Sequence, residues 1–360
     1  MPRIDKILEI VRSAEASDLH MIGGSAPLVR MHGQLEKTRH RTLSNDEVKQ
    51  LIYEILADDQ IHRFEKTGDL DLAYGVEGLG RFRVNVYKTH TGIGVAIRII
   101  PDQPPSLATL GFSDVLAGLA ESKSGLLLVT GPTNSGKTTT LASMVDHINL
   151  NSSRHIVTLE DPIEYIHTNK NSLISQRQIG LHSESFTTGL RAALREDPDV
   201  VLVGEMRDLE TIALAITAAE VGLLVMATLH TRTAAATVDR IIEVFPVEQQ
   251  QQIRVMLADA LKGVISQQLP RRADGRGRVA AYELMVQTNS IASLIREQKT
   301  FQIPTAIQTC RKQGMQLLDN HLLELVEAGT IAAHDALKCA TDPSKFTETV
   351  ARFEHQKVKV

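Results

Sequence analysis

Ile4, Ile7, Leu8, Val11 and Ala14 recur three and four residues apart between charges, which predicts an opening amphipathic helix that ends near the polar Ser17-Asp18. Strand-length runs follow at Leu19 to Ile22 and Leu28 to His32, with Gly33 turning the chain. Ser44-Asn-Asp-Glu47 has capping-box spacing and introduces a second helix carrying Val48, Leu51, Ile52 and Ile55. Three more strand candidates, Leu70 to Tyr74, Arg81 to Tyr87 and Gly94 to Ile100, complete a small α+β domain over residues 1–100.

Pro101-Asp-Gln-Pro-Pro-Ser106 then removes backbone donors and fixes φ, so a linker is expected over residues 101–110. Beyond it, apolar runs at Leu126 to Thr130, Ile156 to Leu159, Val200 to Val203 and Leu223 to Thr228 alternate with helical stretches. Near-continuous apolar strands belong in a sheet covered on both faces, which predicts a mostly parallel α/β core over residues 111–289. Helical periodicity from Ser290 predicts a C-terminal helical region over residues 290–360. No internal repeat is present, and Gln249 to Gln252 reads as a solvated helix face.

A chain of 360 residues exceeds what one ordinary core accommodates and suits the two domains the pattern suggests. The net charge of −4, with 4% aromatic residues and no tryptophan, argues against a nucleic-acid translocase, which needs a basic channel studded with stacking side chains. Cys310 and Cys339 suffice for neither a disulfide framework nor a four-thiolate zinc site, so a reducing cytoplasm is the expected compartment. The start carries no signal-peptide pattern, and the most apolar windows, Gly125 to Thr130 and Val200 to Gly204, fall far short of the roughly 20 residues a membrane span needs. No direct membrane insertion is expected; another protein would bring the chain to a membrane.

Gly131-Pro132-Thr133-Asn134-Ser135-Gly136-Lys137-Thr138 fits G-x-x-x-x-G-K-[ST] after an apolar strand and before a helix starting near Thr139, the setting a phosphate-binding loop requires. Glycines allow successive N–H groups to face phosphates, and the helix adds its positive end. Lys137 is expected to reach the β and γ phosphates of ATP, and the Thr138 hydroxyl to ligate Mg²⁺. Asn134 stands where related loops usually carry glycine; asparagine tolerates positive φ, so the loop is expected to form.

Two further strands run out into carboxylates. Val200 to Val203 is followed by Gly204 and Glu205, and because glycine occupies the place where many P-loop proteins have aspartate, Glu205 is the acid expected at the metal-bound water. Ile156 to Leu159 leads to Glu160, Asp161 and Glu164; Glu164 is the preferred residue for orienting the attacking water, with Glu160 and Asp161 left open. A fourth strand ends at Thr228-Leu-His-Thr231, where His230 is a candidate contact to the γ phosphate.

Together, Gly131 to Thr138, Leu159 to Glu164, Val203 to Asp208 and Thr228 to Thr231 resemble the Walker A, Asp box, Walker B and His box of the secretion and pilus ATPase superfamily. Ala16-Ser-Asp-Leu-His20, Gly80-Arg-Phe-Arg-Val-Asn85, Gln302-Ile-Pro304 and Gly314-Met-Gln316 are similar to PilT-type retraction ATPases over nearly the full length. The resemblance implies an α/β fold class: a PAS-like N-terminal domain, a RecA-like P-loop ATPase domain and a helical extension. It also implies a homo-hexamer that hydrolyses ATP between the two domains of each subunit and works on an inner-membrane platform protein to retract type IV pili. Arg83 and Arg98, expected on adjacent strands, match arginines that close on the phosphates, and Arg195 and Arg207 match further arginines near the nucleotide. Where retraction ATPases carry Ala-Ile-Arg-Asn-Leu, this chain reads Ser290-Ile-Ala-Ser-Leu294, which puts the coupling of hydrolysis to retraction in question.

Overall fold

Alternation of apolar and polar residues in the first hundred positions pairs those segments into an antiparallel sheet. The computed structural model describes residues 2–14, 16–31, 34–344 and 346–347. One unit takes in the chain up to Gln103 together with Pro162–Ile166, and a second unit begins at Pro104 and takes in the remaining described residues.

In the first unit, helices α1 (Arg3–Ser13), α2 (Asn45–Tyr53) and α3 (Asp58–Thr67) accompany strands β1 (Asp18–Ile22), β2 (Leu28–Met31), β3 (Gln34–Lys37), β4 (Asp69–Val76), β5 (Gly80–Thr89) and β6 (Gly92–Ile100). The strands form a six-stranded sheet in the order β3-β2-β1-β6-β5-β4. On β5, Phe82, Val84 and Val86 are fully buried while Arg81, Arg83 and Asn85 take the other face, the period of two that a one-sided sheet demands. Ile4 and Leu8 of α1, Val48 and Ile52 of α2, and Phe64 of α3 complete that core.

Helix α1 stops at Ser13, short of the expected Ser17-Asp18, because Asp18 already pairs with Arg30 and Arg98 in the sheet. The capping box forms: Ser44 N–H donates to Glu47 Oε2 at 2.8 Å while the Glu47 N–H returns to Ser44 Oγ at 3.3 Å. Helix α3 escapes the periodicity argument because Phe64 is its one buried residue. The expected strand end His32 and the turn at Gly33 lie outside the described residues.

The second unit opens with α4 (Asp114–Ala120), β7 (Gly125–Thr130), α5 (Lys137–Asn151), β8 (His155–Glu160), β9 (Leu173–Gln178) and α6 (Phe186–Ala193). It continues with β10 (Val200–Val203), α7 (Leu209–Glu220), β11 (Leu224–Leu229), α8 (Ala234–Glu243), α9 (Val247–Ala260), β12 (Leu261–Gln268) and β13 (Ala281–Val286). Helices α10 (Asn289–Arg296), α11 (Ile303–Thr309), α12 (Leu318–Glu327) and α13 (Ala333–Cys339) follow. The seven-stranded sheet runs β13-β12-β7-β11-β10-β8-β9, parallel throughout except for β13, which pairs antiparallel with β12.

Every residue of β7, β10 and β11 is buried, since helices cover both faces. Leu126, Leu128, Val201, Val203, Val225 and Ala227 enter one core, and Leu127, Val129, Val200, Leu202, Leu224 and Met226 the other. Helices α10 and α11 belong to the first of these cores through Ile291, Ala292, Ile295, Ile303 and Ile307, so the main core continues past residue 290. Helices α12 and α13 build a smaller cluster of Leu318, Leu322, Ile331 and Ala336 on Ala281 of β13. No helix of the described residues is long and apolar enough to cross a membrane.

Where β10 ends, the chain passes tightly against β8. The Gly204 N–H donates to the Leu159 carbonyl at 2.8 Å, and a Cβ on Gly204 would lie 3.0 Å from that oxygen and 3.4 Å from Glu160 Cα. An aspartate here would press its side chain into backbone that cannot retreat. Gly204→Asp is therefore expected to lower the stability of the second unit by about 1–3 kcal/mol, read as an earlier chemical-denaturation midpoint; an unchanged midpoint would show that the strand end yields.

Candidate active site

Parallel strands deliver their C-terminal ends to one edge of a sheet, and in open α/β sheets that edge receives ligands. Here β7 ends at Thr130 before Gly131, β8 at Glu160 before Asp161, β10 at Val203 before Gly204-Glu205, and β11 at Leu229 before His230. The four segments singled out from the sequence leave the sheet on the same side because β7, β11, β10 and β8 are consecutive parallel neighbours.

The loop after β7 turns through left-handed backbone at Asn134, with φ of 64°, and at Gly136, with φ of 88°, and α5 starts immediately at Lys137. Asparagine is among the few residues with a side chain that sits there at low cost. At Gly131 a Cβ would fall 2.3 Å from the Gln267 carbonyl oxygen and 2.6 Å from Ser135 Oγ, so the loop closes only with glycine. Lys137 Nζ donates to the carbonyls of Gly131 at 2.8 Å and Pro132 at 2.9 Å. Burial holds the Lys137 ammonium below its ordinary pKa, against the opposing pull of Glu205. Ser135 Oγ is buried without a hydrogen-bond partner, and Thr133, Asn134 and Thr138 are exposed. A polar cradle with an orphaned hydroxyl and a desolvated cation fits a polyphosphate.

Glu205 is the centre of the second cluster. Arg207 grips it in a fork, Nη2 to Oε2 at 2.7 Å and Nε to Oε1 at 2.6 Å, and His230 Nε2 lies 2.9 Å from Oε1. Partial burial works to raise this carboxyl, yet Arg207 and His230 outweigh it and leave Glu205 below the usual range. The Thr228 hydroxyl donates to the Gly204 carbonyl at 2.5 Å and the Met206 N–H to the Thr228 carbonyl at 3.1 Å, which fixes the Glu205 turn against the end of β11. Asp161 acts electrostatically on Arg207. Glu160 turns away to accept from Thr158 Oγ1 at 2.6 Å and Gln176 Nε2 at 3.1 Å.

Glu164 groups elsewhere. Its segment, Pro162–Ile166, belongs with the first unit, where Arg83 Nη1 donates to Glu164 Oε1 at 3.1 Å. Arg83 and Arg98 stand directly opposite each other on β5 and β6. Like charges so placed repel, and carboxylates offset them: Arg98 Nε donates to Asp18 Oδ1 at 2.9 Å, and Arg83 has Glu164. Arg30, Asp18, Arg98 and Arg83 thus form one charged row across β2, β1, β6 and β5.

Arg195 does not join the site. It precedes β10, and its neighbours Glu196 and Asp197 present their carbonyls to His155 at the start of β8, so it lies at the edge of the parallel sheet opposite to Gly131 and Glu205. The expectation for Arg195 came from the family resemblance, and the strand Val200–Val203 separates it from Glu205 within this chain. The sequence reading also passed over Gln267 at the end of β12, whose Oε1 accepts from Thr140 Oγ1 at 2.7 Å and whose backbone closes the loop at Gly131. The polar Ser266-Gln267 pair within an apolar stretch is the signal that could have found it. Among the described residues no group of three or more His, Cys, Asp or Glu side chains is disposed to hold a metal.

Residues 1–338 match the family of type II/IV secretion system proteins. The type IV pilus retraction ATPase PilT of Pseudomonas aeruginosa is 45% identical over 343 residues, which is 95% of this chain and 99% of that protein. A twitching motility protein of Neisseria gonorrhoeae is 45% identical over 314 residues, 87% of this chain and 84% of its own. Among solved structures, the pilus retraction motor PilT with bound ADP aligns with a TM-score of 0.85 at 44% identity, covering 94% of this chain and 98% of its own. With the strand-end loops in place and these matches spanning almost the whole length, the chain belongs to the type II/IV secretion system protein family and has the fold of its ATPases, a small N-terminal domain followed by a RecA-like ATPase domain.

Proposed function

We propose that this chain is an ATP-hydrolysing motor subunit that drives retraction of type IV pili. The observation that carries the reading is the convergence of Lys137, Glu205, Arg207 and His230 on the C-terminal ends of β7, β10 and β11. In this reading Lys137 exchanges the Gly131 and Pro132 carbonyls for β and γ phosphate oxygens, while the N–H groups of Gly131 to Thr139, Pro132 excepted, cradle the chain of phosphates. The Thr138 hydroxyl, and Glu205 through water, would hold Mg²⁺, an ion that keeps most of its ligands as water and phosphate oxygen. His230, sharing the Glu205 carboxylate, registers the γ phosphate.

Glu164 is assigned the orientation or deprotonation of the attacking water. Arg83 holds its carboxylate, and Arg83 and Arg98 supply positive charge to the phosphates as negative charge redistributes in the transition state. Six copies are proposed to form a ring on the cytoplasmic side of the inner membrane, acting on the pilus platform protein. The matches to PilT and to a twitching motility protein support retraction as the work performed.

Lys137→Ala is expected to abolish ATP binding or turnover, measured by nucleotide titration and phosphate release. Glu205→Gln and Glu164→Gln are each expected to bind ATP while kcat falls by roughly 10²–10⁴-fold; turnover near the parent rate in either would remove that residue from the chemistry. Deletion of the gene in its host should leave surface pili retained or in excess with twitching lost, whereas bald cells would assign the motor to assembly.

A further inference from the structure

Glu283 is the one carboxylate in an otherwise apolar strand, β13, and it is 5% exposed. A buried carboxylate is costly unless its oxygens are taken up by donors. Here the donors are buried N–H groups at two helix starts, which have no partner within their own helices. The Ala234 N–H, first in α8, donates to Glu283 Oε1 at 2.7 Å, and the Leu318 N–H, first in α12, adds a weaker favourable pull on the same carboxylate. A negative charge at a helix N-terminus is favourable, and one group serves both ends at once.

The two helices lead to different places. Helix α8 follows His230 after three residues, and Thr233 caps it through the Ala236 N–H at 3.2 Å. Helix α12 begins the small C-terminal cluster, which is docked on the same strand by Gln316 and His321. Glu283 also lies in register with the phosphate loop: Leu229, Thr130, Ser266 and Glu283 form one row across β11, β7, β12 and β13, with Thr130 Oγ1 and Ser266 Oγ 2.8 Å apart and both fully buried. The row ends on the residues before His230 and Gly131 at one side and on the C-terminal helices at the other.

We propose that Glu283 is a positioning residue for ATP turnover, the joint that holds the His230 loop and the C-terminal helices in one arrangement. The inference rests on the strand-end site being an ATPase centre. Burial pushes the Glu283 carboxyl up to about 7, the two helix N–H groups oppose that rise and Asp319 of α12 adds to it, so the carboxylate is held at the limit of what its donors can sustain. A neutral amide of the same shape would keep one acceptor and lose the charge that serves two donors.

The test compares the full chain with Glu283→Gln by hydrogen exchange at the starts of α8 and α12 and by steady-state ATP turnover. Both helix starts should lose protection together, and kcat should fall roughly 10- to 100-fold with KM for ATP changed by less than about threefold. Ala234→Pro reads the joint from the other side: proline is accepted at the first helical position, Thr233 before it is extended with φ −138° and ψ 158°, and the N–H donor is removed while the ring adds two carbons at a buried position, so an unchanged far-UV circular dichroism spectrum is the control for folding. It should reproduce the loss at α12 and the fall in kcat. Loss of protection at one helix alone, at neither, or at both with turnover unchanged would overturn the proposal. A parent chain that never releases phosphate would instead sink the ATPase reading, while the exchange arm still tests the bridge.

Discussion

The structure depends on the burial of β7. Parallel neighbours, β11 and β12, saturate its backbone on both sides, and helices seal both of its faces, so its last residue, Thr130, is fixed to within the tolerance of a packed core. A phosphate-binding loop works through backbone N–H groups, whose positions are only as good as the strand that presents them. Glycine at 131 and positive φ at 134 and 136 then shape a turn that begins from a rigid point. The same logic applies to Glu205 and His230, which leave strands paired directly with each other and, through β11, with β7.

What could be read in advance follows from this. Strands β7, β8, β10 and β11 are apolar nearly throughout because both faces are covered, and that is the easiest strand signal to see; the α/β class and the phosphate loop came with it. Strands β9 and β12 were harder. Strand β9 is an edge of polar residues such as Ser175, Gln176 and Arg177, and β12 starts at Leu261 directly after α9, with Gly263 inside the strand at a bulge and not between helix and strand. Arg195 and Glu205 flank the same strand, one before it and one after it, so a parallel sheet carries them to opposite edges. Glu283 was legible as an anomaly, an acid inside Ala281–Val286, but its donors come from residues 234 and 318, far along the chain in both directions.

The acids and arginines divide into two sets held by different means. Glu205 keeps its charge through Arg207 and His230 at the strand ends of the second unit, whereas Arg83 and Arg98 are kept apart by Glu164 and Asp18 in the first. Arg83, Arg98 and Arg207 each have a carboxylate partner, and an anion that reached any of them would compete with that partner.

The edge of the seven-stranded sheet has its own consequence. Strand β13 is closed by Gln316, whose N–H and carbonyl both bond Leu284, at 3.1 and 2.9 Å. At that point the outward backbone groups are already satisfied, which withholds a template on which a second chain's strand could grow. Any protein that touches the sheet at this point meets side chains and not a free strand edge, so contact there leaves the two backbones separate.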